Sequence, residues 1–256
     1  MRYSYLVVEG PQDLEFIGRL LHARGLHKVQ KEEKLEAFWQ PVIPRLYPPG
    51  GDLLKRVPVP VFFQSSSHSV AIHSAEGIDQ LVTTAGDTLI IPGFKSAEIS
   101  SIGIFLDADQ AEAEHNFGLL KAKAQTVGLP AFPDEPGSVN HTGVRTGIFI
   151  FPNNHSSGTL ENLLDDCAAL IYPDLRERAQ QFTAEAATDS LMKEDLREFA
   201  KPAGKLKVTM GCIANFLRPT KAIQTSIADN RWLCEESLAL PDIANLHVFL
   251  KDLIGL

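Results

Sequence analysis

Four acidic side chains stand where the chain changes character. Glu9 closes the apolar run YLVVE, Asp107 and Asp109 close IGIFLDAD one residue apart, and Glu161 follows SSGTL at the start of a new apolar pattern. Carboxylates gathered without matching cations repel one another, so such a set either raises the pKa of its members or holds a divalent ion. With oxygen as the only donor atom, the ion implied is hard: Mg²⁺, with Mn²⁺ as a substitute, rather than zinc. Its use would be to neutralise and orient a phosphate. Two such ions could clamp the attacking and leaving oxygens of a phosphodiester.

The elements that must position these groups follow from the hydrophobic pattern. Tyr3 to Val8 is a β-favouring run. Gly10 then marks a turn, Pro11 takes a first-turn helical position, and Leu14, Ile17, Leu20 and Leu21 recur at helical spacing as far as Gly25. Further core strands are predicted at Ser69 to His73, Ser101 to Leu106 and Thr146 to Phe151, with helices over about 76–85, 110–127 and from 159 onward. Near-continuous apolar strands alternating with helices indicate an α/β fold: a central, mostly parallel four-stranded sheet of Rossmann-like type flanked by helices. Residues 30–70 hold Trp39 and the prolines 41, 44, 48, 49, 58 and 60. So much proline excludes a central strand or a long helix, and the segment reads as an inserted region of loops and short strands, a lobe over one end of the sheet. Residues 130–143 read as a surface loop. From 173 the pattern is helical, with Phe182, Leu191, Leu196 and Phe199 marking one segment, Leu206, Met210, Ile213 and Phe216 a second, and Leu246 to Leu253 a last short helix. The division expected is 1–172 as the α/β domain and 173–256 as a helical extension packed on it.

In a parallel sheet, ligands bind beyond the C-terminal ends of the strands, so Glu9, Asp107 and Asp109 are expected on one rim. A short SSG loop returns Glu161 to it. The segments VEGPQD at 8–13, FLDADQ at 105–110 and SGTLENLL at 157–164 resemble the Toprim domain, and within it the overcoming-lysogenization-defect (OLD) nucleases and related bacterial Toprim proteins. The resemblance spans about residues 3–172. It implies that Glu9 ligates metal or serves as general acid or base, that Asp107 and Asp109 hold Mg²⁺, and that Glu161 is the later acidic ligand of the OLD-like branch. That branch also places a lysine beyond the last acidic motif to steady charge at the phosphate. KPAGKLK offers Lys205 and Lys207, and Lys205 is taken as the candidate. The chain carries no ATPase Walker motif, no topoisomerase tyrosine context and no primase zinc module.

Plainer roles compete at individual positions. Asp107 and Asp109 could cap the following helix, and Asp13 reads as a first-turn residue answering the helix dipole. Asn153 and Asn154 read as turn formers, with orientation of a ligating carboxylate as their alternative. The pairs His68 with His73 and His141 with His155 lack a metal-binding helical context. Basic residues cluster at Arg19, Arg24, Lys28, Lys31 and Lys34. A second group, Lys201, Lys205, Lys207, Arg218 and Lys221, lies in a segment free of acidic residues. Each group is either a solvated face or part of a track for a polyanionic backbone.

The 256 residues, 44% hydrophobic, suffice for one sizeable domain with an appendage. A formal net charge of -8 argues against a generic nucleic-acid coat or a membrane-surface protein. Three scattered cysteines suggest neither disulfides nor a zinc knuckle, so a reducing cytoplasm is expected. No segment approaches the roughly 18 apolar residues that span a bilayer. The activity that the resemblance to the Toprim and OLD-like nucleases implies is Mg²⁺-dependent phosphodiester cleavage of nucleic acid, as a nuclease of phage defence or DNA maintenance. The alternatives are a Toprim-fold module that binds nucleotide or nucleic acid without turnover, and a small-molecule phosphoryl-transfer enzyme. DNA or RNA, and a homo-oligomer or partner protein, stay open at this point.

Overall fold

A computed structural model describes residues 1–46, 51–53, 59–186 and 191–256. Pro48, Pro49, Gly50 and Pro58 of the proline-rich insertion lie outside the described residues.

The chain opens with β1 (Arg2–Val8) and α1 (Pro11–His22), followed by β2 (His27–Lys28), β3 (Val61–Gln64) and β4 (His68–Ser74). Then come α2 (Leu81–Leu89), β5 (Ile99–Asp107), α3 (Ala113–Thr126), β6 (Val139–Asn140), β7 (Arg145–Phe151) and α4 (Leu160–Ile171). The remainder is helical: α5 (Pro173–Ala186), α6 (Gly204–Leu217), α7 (Ile223–Asp229), α8 (Glu235–Leu238) and α9 (Pro241–Ile254).

The α/β class agrees with the expectation, but the sheet does not have four strands. It is a mixed sheet of seven, in the order β2-β3-β4-β1-β5-β7-β6. The four expected strands, β4, β1, β5 and β7, are parallel and central, while β3 pairs antiparallel with β4, β2 with β3, and β6 with β7. The extra strands are two to four residues long; β3 and β6 come from the segments read as insertion and loop, and β2 from the stretch between the first helix and the insertion. Edge pairing of that length depends on backbone groups, and two or four residues are too few to show an alternating pattern.

Successive residues of the central strands serve two separate cores, as the period of two requires. Leu6, Val8, Phe105, Phe149 and Phe151 face α1, α4 and the later helices, whereas Tyr5, Val7, Ile104, Leu106, Ile148 and Ile150 face α2 and α3. Helices from beyond residue 172 thus share one core with the first strand. Gly103 and Gly147 are partners in the β5/β7 register. A Cβ at Gly103 would meet Leu253 at 2.6 Å and one at Gly147 would meet Phe249 at 2.7 Å, so this glycine pair is the shelf on which α9 rests.

Several local expectations need correction. Part of the insertion packs over the sheet face: Trp39 is fully buried with Tyr5, Phe62 and Phe94, and its indole N–H donates to Ser69 at 2.9 Å. The second helix starts at Leu81, after a 3-10 turn over Ile78–Gln80. The third starts at Ala113 because residues 108–111 form a turn. Residues 191–203 are turns, not helix, and Phe182 and Phe216 are exposed despite their helical spacing. The last helix runs longer than expected, from Pro241 at its first turn to the left-handed cap Gly255. Among the described residues, no helix is long and apolar enough to cross a membrane.

Candidate active site

β1 and β5 are adjacent and parallel, so their C-terminal ends reach the same rim. Glu9 leaves β1 there and Asp107 ends β5. The Asp107 amide points at Glu9 Oε2 across 3.4 Å, which places the two carboxylates side by side. Asp107 Oδ1 in turn accepts the Leu160 amide at 2.8 Å, at the first turn of α4. An unpaired N–H at a helix N-terminus is a natural partner for a carboxylate. Asp109 sits one turn out, with φ +53°, and exchanges two 2.8 Å backbone hydrogen bonds with Gly158. Gly158 has φ +139°, so the SSG loop needs glycine to close this bridge. Asn116 donates to the Ala108 carbonyl at 3.1 Å and holds the same turn from α3.

Two further carboxylates stand behind this rim. Asp13 is 7% exposed and Glu161 5% exposed. Asp13 Oδ2 accepts the Gly10 amide at 2.7 Å, so it stands in the first turn of α1 as expected and closes that turn back on the N-cap. Its burial beside Glu9, Asp107 and Glu161 is not what a dipole-answering surface residue would show. The motif VEGPQD carried the hint: the third residue of a helix that starts at the rim turns back toward it.

Burial raises the Asp13 carboxyl well above the usual carboxylate range. The Gly10 hydrogen bond opposes the rise, and the charges of Glu9 and Glu161 add to it. Asp107 is likewise raised, first by burial and then by Asp13, Glu9 and Glu161. Glu9 is raised by burial, against the Asp107 amide, with Asp109 and Glu161 pushing further. Lys207 is the counterweight. Burial would lower its ammonium pKa, but Glu161, Asp107, Asp109 and Glu9 outweigh that and raise it.

An open cleft of about 1200 Å³ lies against this rim. Glu9, Asp107, Asp109, Gly158 and Thr159 line one side, and the segment from Glu198 to Val208 lines the other, including Phe199, Lys201 and Lys207. Lys205, the lysine chosen from sequence, is exposed and does not line the cleft. It lies two residues from Lys207, and on a helix that spacing turns a side chain to another face. The Oγ1 atom of Thr159 is buried at the cleft wall with no hydrogen-bond partner among the described residues.

The other sequence candidates go elsewhere. Asn153 binds Asp242 and the amides of His155 and Ser156, and Asn154 accepts from the Ile150 amide, so both are turn formers. His68 contacts Ser67 and the Gly255 carbonyl, His73 the Tyr5 hydroxyl, and His141 pairs with Asp252. The early basic cluster lies toward the far end of α1 from the rim. There Arg19 binds the Ala228 and Leu233 carbonyls, Arg24 binds His247, and Lys28 binds Glu15. In the later group Lys201 pairs with Glu198 and Arg218 with Asp229, acids that flank the acid-free segment.

The donor set fits a hard cation chemically: oxygens only, a surplus of carboxylates, and an orphaned threonine hydroxyl beside them. Among the described residues, no three His, Cys, Asp or Glu side chains are already arranged to hold one ion. Asp13 and Asp107 each give one oxygen to a backbone amide, of Gly10 and Leu160 respectively, which orients the carboxylate and leaves its second oxygen for a cation.

A crystal structure of hypothetical protein PH0156 from Pyrococcus horikoshii OT3 is similar, with a TM-score of 0.58 at 15% identity over 98% of this chain and 99% of that one. Similarity at this identity speaks to the fold alone. No curated protein matches the sequence. The family model described as "Protein of unknown function (DUF3226)" matches residues 3–254, so the chain belongs to that family.

Proposed function

We propose that the protein is a Mg²⁺-dependent enzyme of Toprim type that cleaves phosphodiester bonds of nucleic acid. The observation that carries this reading is the meeting of Glu9, Asp107 and Asp109, with Asp13 and Glu161 behind them, at the C-terminal rim of adjacent parallel strands facing Lys207 across an open cleft. Parallel order around β1 and β5, with glutamate after one and the DxD pair after the other, supports the Toprim comparison. Asp107, Asp109 and Glu161 would hold the ion, which supplies charge neutralisation at the phosphate when bound. Glu9, whose carboxyl pKa burial raises above its ordinary value, is placed at the rim to hold or accept a proton near the attacking water. Lys207 rather than Lys205 places its ammonium where negative charge develops.

The test is a nuclease assay on single- and double-stranded DNA and RNA with Mg²⁺ or Mn²⁺. Cleavage that disappears in Asp107→Asn and with chelator is expected. No cleavage of any substrate, or full activity in Asp107→Asn, would refute the enzymatic reading.

A second reading is binding of nucleotide or nucleic acid without turnover. It draws on Lys207 at the cleft and on the lack, among the described residues, of three carboxylates already arranged around one ion, since phosphate is then recognised through the lysine. Tight binding with no product formed in the same assay would select it.

A further inference from the structure

The N-terminal edge of the sheet carries the electrostatic opposite of the carboxylate rim. Arg2 opens β1, Ser100 lies near the start of β5, and Arg145 opens β7. With His141 and Gly143 of the β6–β7 turn they line a pocket of about 400 Å³. At about 3.3 Å per residue, the length of β1 puts roughly 20 Å between this pocket and Glu9.

The two guanidinium groups converge. A Cβ added at Gly255 would collide with Nη1 of both Arg2 and Arg145. Arg2 Nη1 donates to the neutral Gly255 carbonyl at 2.8 Å, and the Arg145 guanidinium has no hydrogen bond or ion pair among the described residues. The nearby carboxylate, Asp252, is 3.2 Å from His141. Neither guanidinium is in an ion pair among the described residues, and two cations brought together repel unless an anion bridges them. The protein's overall charge of -8 makes this concentration of positive charge the more distinct.

We propose that this pocket is a binding site for a phosphoryl group, separate from the carboxylate cleft. Two arginine forks, a serine hydroxyl and an imidazole offer more donors than the two oxygens of a carboxylate take up, and they match the oxygens of a phosphate monoester. Arginine suits the role because its planar fork binds such oxygens two at a time. A pocket of this size takes a free phosphate, a small phosphorylated molecule or the terminal phosphate of a strand, and excludes a duplex.

Titration calorimetry with inorganic phosphate in chelator, together with amide chemical-shift mapping, tests the proposal. The expected result is saturable binding with shifts at Arg2, Ser100 and residues 141–145, roughly tenfold weaker in Arg145→Gln and in Arg2→Gln, and unchanged in Asp107→Asn. Parallel titrations with a nucleoside monophosphate and with 5′-phosphorylated and unphosphorylated oligonucleotides identify the source of the phosphate by which one shifts the same amides. No binding of phosphate, shifts confined to the cleft, or affinity in both arginine variants equal to that of the unaltered protein would overturn it. Should either variant fail to fold, the shift map of the unaltered protein decides alone.

Discussion

Asp107 and Leu160 are 53 positions apart in sequence and 2.8 Å apart in space, the carboxylate of one accepting the amide of the other. This bond ties the end of β5 to the start of α4 and so brings Glu161 onto the same rim. Asp107 therefore has a structural duty beside any chemical one, and the two separate by substitution. Asp107→Asn keeps an acceptor and removes a repelled charge, so without metal it should melt no lower than the unaltered protein. Asp107→Ala leaves the Leu160 amide unpaired and should lose about 1–3 kcal/mol. Denaturant melts of both variants measure the difference; equal stability of the two would contradict the role of the bond.

Stability should depend on pH through the same cluster. The folded-state pKa values of Glu9, Asp13 and Asp107 are raised above their ordinary range. Below the ordinary range, at about pH 3 and under, these groups are protonated in both states and cost nothing. As pH rises toward and through the folded values, the unfolded chain ionises more readily, so the metal-free protein should lose stability from about pH 4 through neutrality. Mg²⁺ should restore it at the high end and release protons on binding, an effect read by calorimetry in buffers of different ionisation enthalpy. A stability profile that rises over this window would contradict the burial of the three carboxyls.

Lys207 and Lys205 should separate in the same assay. Lys207→Ala is expected to cost cleavage about a hundredfold at unchanged fold, while Lys205→Ala leaves it near the starting rate. Comparable losses in both would return the choice to the one made from sequence.

Gly158 closes the bridge to Asp109 in a backbone region that side chains avoid, and a Cβ there would meet Asn162 Oδ1 at 2.7 Å. Gly158→Ala should therefore destabilise by about 1–3 kcal/mol and displace Asp109. Melting curves and amide shifts at Asp109 report both effects.

The shelf under α9 offers a test remote from the cleft. Gly103→Val pushes into Leu253 and Leu6 and should cost about 1–3 kcal/mol by overpacking. A neutral effect on melting would mean that α9 yields easily.

The sequence by itself determined the α/β class, the four central strands and the places where carboxylates end them. A strand buried on both faces must be apolar throughout, so the first charge after such a run marks its end. Glu9 and Asp107 were readable for that reason, and Asn153 and Asn154 were readable as turn formers from their own local chemistry. Only the tertiary structure decided the rest. The short strands β2, β3 and β6 exist through pairing with neighbours, Trp39 is buried because Tyr5, Phe62 and Phe94 meet around it, and Asp13 joins the acidic cluster because α1 begins at the rim. The lysine at issue turned on helix geometry: Lys205 and Lys207 are near-equivalent in sequence, and the packing of α6 decides which of them faces four carboxylates. Local pattern records where a segment starts and ends, whereas a side chain's partner is set by chain pairing across fifty or more residues.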